Sequence, residues 1–320
     1  MKKVLFVDTT HEVLPQGLES LGFACDHFDL KTKEEYKSIV SSYSGLVVRS
    51  KIKIDKDIID SATSLEFIAR VGAGLENIDV PYAKQKGVYC LNSPEGNRDA
   101  VGEQSVGMLL MLMNNLLRAD EEVRRLVWRR KENRGSEIKG RTIGIIGYGN
   151  MGQAFAQRIS GFGANVIAYD KYRKNYSDEY AQEVSLEELK EHSDILSLHI
   201  PLTEETKFLF NKEFIQSFKK DFWFVNTSRG PICKTNDLVE ALDSGKIIGA
   251  ALDVLEYEKL GFESIEKNNI PKALNALIES DRVVLSPHIA GWTHESNYKL
   301  SKVIVDKVAA LIQEDSLRVK

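Results

Sequence analysis

Cysteine is scarce in this chain, with Cys25, Cys90 and Cys233 the only three. An odd count at that wide spacing supplies neither a disulfide framework nor a CxxC metal knuckle, so each thiol is expected to be buried and no metal is expected. Proline is rare as well, at 7 residues against 22 glycines, and no repeat or low-complexity tract occurs. Collagen-like, solenoid and disordered chains are thereby excluded. Neither charge sign dominates: 43 basic and 47 acidic side chains give a formal net charge of -4. The whole-chain field offers no reason to bind nucleic acid or anionic lipid. Long apolar runs are missing too. Residues 106–113 form one of the longest, far short of the roughly 18 residues of a membrane span, and read as a buried helix. The positive start Met1-Lys2-Lys3 precedes an apolar run that Asp8 ends after four residues. That run is too short for a secretory signal and reads as the first β-strand of a cytoplasmic protein.

What is present is an alternation of strands and helices. At 320 residues the chain has the length of about two domains, so two cores with a cleft between them are expected. Short β-branched runs at 4–7, 45–48, 67–69 and 88–91 alternate with polar, helix-compatible segments, the rhythm of parallel βαβ units. An apolar helix over about 99–117, capped by Asp99, leads into a charged stretch at 118–139 and marks the crossing between domains. A second strand series follows at 142–146, 165–169, 195–199, 222–225, 247–252 and 283–285. Ser185-Leu-Glu-Glu188 reads as a capping box, and Gly245 as the close of a helix over 237–242. An amphipathic helix over 295–311 is expected to return to the first domain. The fold class expected is therefore α/β, two Rossmann-like or flavodoxin-like domains with parallel sheets. A discontinuous substrate-binding domain takes 1–98 and 294–320, and a dinucleotide domain 99–293.

Gly147-Tyr148-Gly149-Asn150-Met151-Gly152 fits G-x-G-x-x-G, and its context gives it weight. A strand precedes it, a helix with Phe155, Ile159 and Phe162 on one face follows, and the next strand ends in Asp170. Gly147 would allow the tight turn, Gly149 the close approach of a pyrophosphate, and Gly152 helix-to-strand packing, with phosphates on the helix N-terminus beside Asn150 and Met151. Asp170 would accept from the adenosine ribose hydroxyls and repel a 2′-phosphate, favouring NAD over NADP, although Lys171 and Arg173 could soften that preference.

In open parallel sheets ligands gather at the carboxyl ends of the strands. Arg229, Asp253 and His288 each follow a strand there. A guanidinium at Arg229 could hold a carboxylate through two charge-assisted hydrogen bonds. His288, in Ser286-Pro-His288, could be oriented by Glu258 and exchange a proton with a carbonyl or alcohol oxygen. Glu256 is a rival carboxylate, with the spacing from Asp253 favouring Glu258.

Four blocks in order carry a resemblance: Gly72-Ala73-Gly74-Leu-Glu-Asn-Ile-Asp79; Gly147 to Gly152 with Asp170; Asn226-Thr-Ser-Arg-Gly230 with Gly249-Ala-Ala-Leu-Asp-Val254; and Ser286-Pro-His288. Over essentially its whole length the chain resembles the D-isomer-specific 2-hydroxyacid dehydrogenases. The resemblance implies a catalytic set of Arg229, Glu258 and His288, with the substrate carboxylate held by backbone amides of Gly72, Ala73 and Gly74. It implies cofactor contacts near Pro201, Thr227, Ser228, Asp253 and Gly291. It also implies a homodimer with a charged arm, matching the apolar character of the 99–117 helix. Lys259 stands where the family usually has proline, and the segment 259–281 is longer than usual.

The first half is most similar to the phosphoglycerate dehydrogenase branch, through Val47-Val-Arg49-Ser50, Ala69-Arg70-Val-Gly-Ala-Gly74 and Trp128-Arg-Arg130-Lys131. Arg49, Arg70 and Arg130 would then neutralise a phosphate. The expected reaction is hydride transfer between NAD and C2 of a D-2-hydroxy acid, in its specific form 3-phosphoglycerate to 3-phosphohydroxypyruvate, as in serine biosynthesis. A glyoxylate or hydroxypyruvate reductase is the enzymatic alternative, and a nucleotide-sensing corepressor the binding-module alternative. Glu258 counts against formate dehydrogenase, a relative that needs no His–Glu pair. With Lys320 so soon after His288, no appended regulatory domain and no feedback by serine are expected.

Overall fold

The computed structural model describes residues 1–28, 30, 32–258 and 270–318, with side chains of the last helix described to Gln313. It is an α/β protein of two compact units, one formed by 1–97 with 292–320 and the other by 98–291. Each unit is built on a wholly parallel sheet.

In the first unit, β1 (Lys3–Phe6), β2 (Ala24–His27), β3 (Gly45–Val48), β4 (Phe67–Arg70) and β5 (Tyr89–Asn92) lie in the order β2-β1-β3-β4-β5. Strands covered on both faces need apolar side chains at every position. Thus Val4 and Phe6 join one core with α1 (Val13–Ser20) and α12 (His294–Arg318), while Leu5 and Val7 join another with α2 (Lys33–Ile39) and α3 (Lys56–Ser61). Gly17 lets α1 approach α12, since a Cβ there would lie 2.6 Å from a Val305 methyl. The register pairs Val48 with Arg70 and Arg70 with Asn92. Arg49, Arg70 and Asn92 therefore share the carboxyl edge of this sheet.

The second unit's strands are β6 (Thr142–Ile146), β7 (Asn165–Tyr169), β8 (Gln182–Glu183), β9 (Ile195–Leu198), β10 (Phe222–Asn226), β11 (Ile247–Leu252) and β12 (Val283–Leu285). Their order is β12-β11-β10-β9-β6-β7-β8. The chain runs outward from β6 to β8, then returns to β9 on the other flank of β6. That reversal is the topological switch point where such sheets bind ligands.

Several expectations need correction. The helix expected over 99–117 is α5, Pro94–Met113. Proline at its first position is preorganised for a helix start, and Asp99 instead pairs with Arg158 at 2.8 Å. Asn115 adopts a left-handed φ of 53°, which ends α5 and separates it from α6 (Leu116–Arg124). The edge strands β2 and β8 were not expected. The last helix is longer at both ends than 295–311. Of the long segment 259–281, residues 259–269 lie outside the described residues, and α11 (Lys272–Glu279) occupies much of the rest. Cys233 is buried, but Cys25 and Cys90 are half-buried, and burial still raises both thiols to about 11. The capping box forms at α8 (Leu186–His192), where Ser185 and Glu188 bond reciprocally. Gly245, at φ 80°, closes α10 (Thr235–Ser244).

Candidate active site

The glycine loop follows β6, and three distances define its shape. A Cβ at Gly147, where φ is 92°, would lie 2.4 Å from the His199 carbonyl oxygen. At Gly152 it would lie 2.1 Å from the Gly147 oxygen, whereas nothing comes within 4 Å at Gly149. The outer two glycines are required by contact with backbone, and the middle one by the room it leaves. Gly149 precedes α7 (Asn150–Ile159), which has no side-chain cap. Its first N–H groups, from Asn150 onward, present partial positive charge to an anion. These residues fit a dinucleotide pyrophosphate.

Asp170 is more occupied than its sequence position suggests. Oδ2 accepts from Tyr148 N–H at 2.9 Å, and Oδ1 from Tyr172 and Arg173 N–H at 2.9 and 3.1 Å. A carboxylate has about four acceptor positions, so one remains for a ribose hydroxyl. The two nearby cations are engaged elsewhere: Lys171 pairs with Glu205, and Arg173 donates to the Tyr148 carbonyl. The softening of NAD preference expected from them therefore loses its basis. Across the switch point Thr206 donates to the Pro201 carbonyl at 2.6 Å.

Asp253 organises the next edge. It has no solvent exposure, and its carboxylate accepts from Ser286 Oγ at 2.6 Å, Gln104 Nε2 at 3.1 Å, and Ile289 and Ala290 N–H at 2.9 Å each. Its carbonyl takes His288 N–H at 2.8 Å. Three successive amides thus hang on one aspartate. This holds His288 at φ 57°, a left-handed conformation that costs a non-glycine residue about 1–3 kcal/mol and concentrates at functional sites. Expected as a cofactor contact, Asp253 has one Oδ2 acceptor position left for that purpose.

His288 Nδ1 lies 2.9 Å from Glu258 Oε2, both side chains about a quarter exposed. Glu258 is fixed by Leu255 N–H on its other oxygen at 2.8 Å. Glu256 turns the other way and accepts Thr235 N–H at the start of α10. An ionised carboxylate only accepts, so Nδ1 carries the hydrogen. Arg229 follows β10 and donates from Nη1 to the Ser228 carbonyl at 2.6 Å. A Cβ at Gly230 would lie 1.8 Å from the Leu255 carbonyl, so the Arg229 turn is pressed against the turn that carries Glu258. Thr227 and Ser228 are buried, Thr227 Oγ1 meeting Ser105 Oγ at 3.0 Å and Ser228 Oγ meeting the Leu198 carbonyl. Gly291 directly follows the Asp253-bound turn.

In the first unit Gly72 N–H is already committed to the Arg70 carbonyl and Ser93 Oγ, at 2.9 and 3.1 Å. It is therefore not one of the amides for a carboxylate, contrary to expectation. Asn92 Nδ2 holds the Ala73 carbonyl at 2.6 Å. Among the described hydrogen bonds none engages the N–H of Ala73 or Gly74. Arg70 Nη1 sits 1.3 Å from where a Gly72 Cβ would be, so only glycine lets this guanidinium lie across the loop. Arg49 is half-buried, with its backbone N–H held by Asp8 Oδ2 at 2.6 Å. Burial pulls its guanidinium below the usual value, with the Asp8 charge opposing. Arg130 is exposed. Sequence reasoning missed Asp8, Gln104, Ser105 and Trp292. Only Asp8, just past a strand, carried a positional signal.

Residues 106–290 match the family model described as the D-isomer specific 2-hydroxyacid dehydrogenase NAD binding domain. The chain is 37% identical over 290 residues to a hydroxypyruvate reductase of Thermotoga maritima, covering 91% of this chain and 90% of that one. It is 34% identical over 316 residues to a D-3-phosphoglycerate dehydrogenase of Methanocaldococcus jannaschii, covering 98% of this chain but 58% of the relative's length. Its fold matches that of a D-lactate dehydrogenase from Aquifex aeolicus, solved with NAD and lactic acid, with TM-score 0.83, 28% identity and coverage of 99% and 97%. With the glycine loop, the switch point and a match to the family's NAD-binding domain all in one unit, the chain belongs to the NAD-dependent D-isomer specific 2-hydroxyacid dehydrogenases.

Proposed function

We propose that the chain catalyses reversible hydride transfer between NAD and C2 of a D-2-hydroxy acid carrying a second anionic group, with 3-phosphoglycerate and 3-phosphohydroxypyruvate as the pair. NADH, when bound, supplies the hydride. As C2 accepts it, the ketone oxygen becomes an alkoxide and needs a proton, which His288 Nε2 gives and takes back in the reverse direction. Glu258 keeps the ring oriented and stabilises the imidazolium. Arg229 supplies a guanidinium for the substrate carboxylate, and the unengaged amides of Ala73 and Gly74 are donors suited to an anion.

The observation that carries the substrate reading is Arg49. Among the described residues no carboxylate lies within salt-bridge distance of its guanidinium, which burial has partly stripped of water. Lactate or glyoxylate offers one carboxylate, already served, whereas a phosphate adds nearly two charges and three acceptor oxygens that match arginine forks. Steady-state reduction of 3-phosphohydroxypyruvate, hydroxypyruvate and glyoxylate with NADH tests this, with the phosphorylated acid expected to give the highest kcat/KM. The 37% identity to a hydroxypyruvate reductase favours the second reading, which stands if hydroxypyruvate wins.

A homodimer completes the proposal. No residue of α6 is buried, and Leu116, Leu117, Val123, Leu126 and Trp128 are exposed, more apolar surface than a single helix normally leaves in water. Arg130 follows this stretch and would be brought to a site by the arm. Light scattering should report a dimer at micromolar concentration, and a monomer would contradict it.

A further inference from the structure

Trp292 is 67% exposed, so its indole does not serve a core. Its ring lies under the Arg49 guanidinium, 5.0 Å from centroid to Cζ. Arg49 follows β3 and Trp292 precedes α12, so two distant stretches of the first unit meet in this contact. A guanidinium carries five N–H donors, and among the described hydrogen bonds none is donated by the Arg49 head group. Such a cation–aromatic contact restrains the head group while leaving its donors to a ligand. Asp8, the acid whose charge acts on Arg49, gives Oδ2 to the Arg49 backbone rather than to the head group.

We propose that Trp292 is a positioning residue for the distal anion of the substrate, its indole orienting Arg49 so that the two form one phosphate-recognition element. The inference rests on the phosphorylated-acid reading for its ligand, but not for the pair itself. Without the indole, a long arginine would sample many rotamers and lose them on binding. With it, the guanidinium is set before the anion arrives, and the advantage appears in binding rather than in the chemical step.

The test compares Trp292→Leu, Trp292→Phe and Arg49→Ala, with each variant's fold checked by circular dichroism. Trp292→Leu should raise KM for 3-phosphohydroxypyruvate by about 2- to 30-fold, the range of an arginine–tryptophan stack, with a much smaller change in kcat. Trp292→Phe, which keeps an aromatic face, should recover most of the loss. Adding Trp292→Leu to Arg49→Ala should cost little more, because the indole acts through the guanidinium. An unchanged KM in Trp292→Leu, a loss that falls on kcat, or full additivity with Arg49→Ala would overturn the proposal. Inorganic phosphate as an inhibitor of hydroxypyruvate reduction separates this from the substrate reading. If the unaltered protein preferred hydroxypyruvate, the substrate reading would fail, yet a phosphate Ki weakened alike by Trp292→Leu and Arg49→Ala would uphold the pair. A Ki unmoved by Trp292→Leu would overturn it.

Discussion

The two sheets of this protein present opposite kinds of carboxyl edge. On the second unit's edge, apart from the uncapped N–H groups that open α7, polar groups bind one another: Asp253 holds three successive amides, Glu258 holds His288, Ser228 and Thr227 are tied inward, and Asp170 is wrapped by loop amides. On the first unit's edge, Ala73 and Gly74 offer backbone N–H groups, and Arg49 offers a cation steadied by an aromatic face. A closed hydrogen-bond network fixes geometry, which proton and hydride transfer demand. Donors without an internal acceptor await an anion, which is what recognition demands. On the roles proposed above, chemistry falls to one unit of the chain and substrate choice to the other, so the two should fail separately.

Breaking the second edge gives the largest effects. His288→Ala should lower kcat by about 100- to 10,000-fold for every substrate, measured by NADH consumption; near-normal turnover would remove His288 from the mechanism. Glu258→Gln should lose less, since glutamine still accepts from Nδ1 without stabilising the imidazolium. Gly152→Ala forces a methyl group against the Gly147 carbonyl. Strain of about 1–3 kcal/mol at the loop should weaken NAD binding by roughly 5- to 150-fold, which calorimetric titration would report.

A stability effect also belongs to that edge. His199, whose carbonyl abuts Gly147, has an Nδ1 shut from solvent without a partner, and burial lowers its pKa from 6.5 to about 3. The folded protein therefore refuses a proton that the unfolded chain takes up. Stability is fully present above pH 6.5 and falls as pH drops toward 3, by at most about 1.4 kcal/mol per unit. His199→Phe should flatten the slope of unfolding free energy between pH 6.5 and 5; an unaltered slope would show that other groups control it. The smallest expected effect concerns cofactor choice. Glu205→Ala releases Lys171 and should raise NADP use severalfold, while Asp170→Ala should relax the preference further. No change in the NAD to NADP ratio in either variant would mean that other residues set it.

Much of this was legible in the sequence because burial on both faces writes a strand as an apolar run. Strands β6, β7, β11 and β12 follow directly from such runs. β2, Ala24–His27, has two polar residues and no β-branched one, and β8 has only two residues. As edge strands they owe their pairing to a neighbour. Asp99 looked like a helix cap because a cap is defined locally, whereas its partner Arg158 lies 59 positions away. The same limit applies at the site. Motif spacing could name His288 and weigh two glutamates, but only the folded turn shows Glu256 capping α10 and Glu258 facing the ring. Nothing in the local sequence marks Trp292, since its meaning arises when β3 delivers Arg49 to it.

The separation of roles is tested most directly by one ratio: kcat/KM for 3-phosphohydroxypyruvate over that for hydroxypyruvate, measured in the unaltered protein and in Arg49→Ala. Charge-assisted contacts are worth about 1.5–3 kcal/mol each, so the ratio should begin well above one and fall about 10- to 100-fold in the variant. A ratio that starts below one, or that Arg49→Ala leaves unchanged because both substrates lose equally, would contradict the assignment of substrate choice to the first unit's edge.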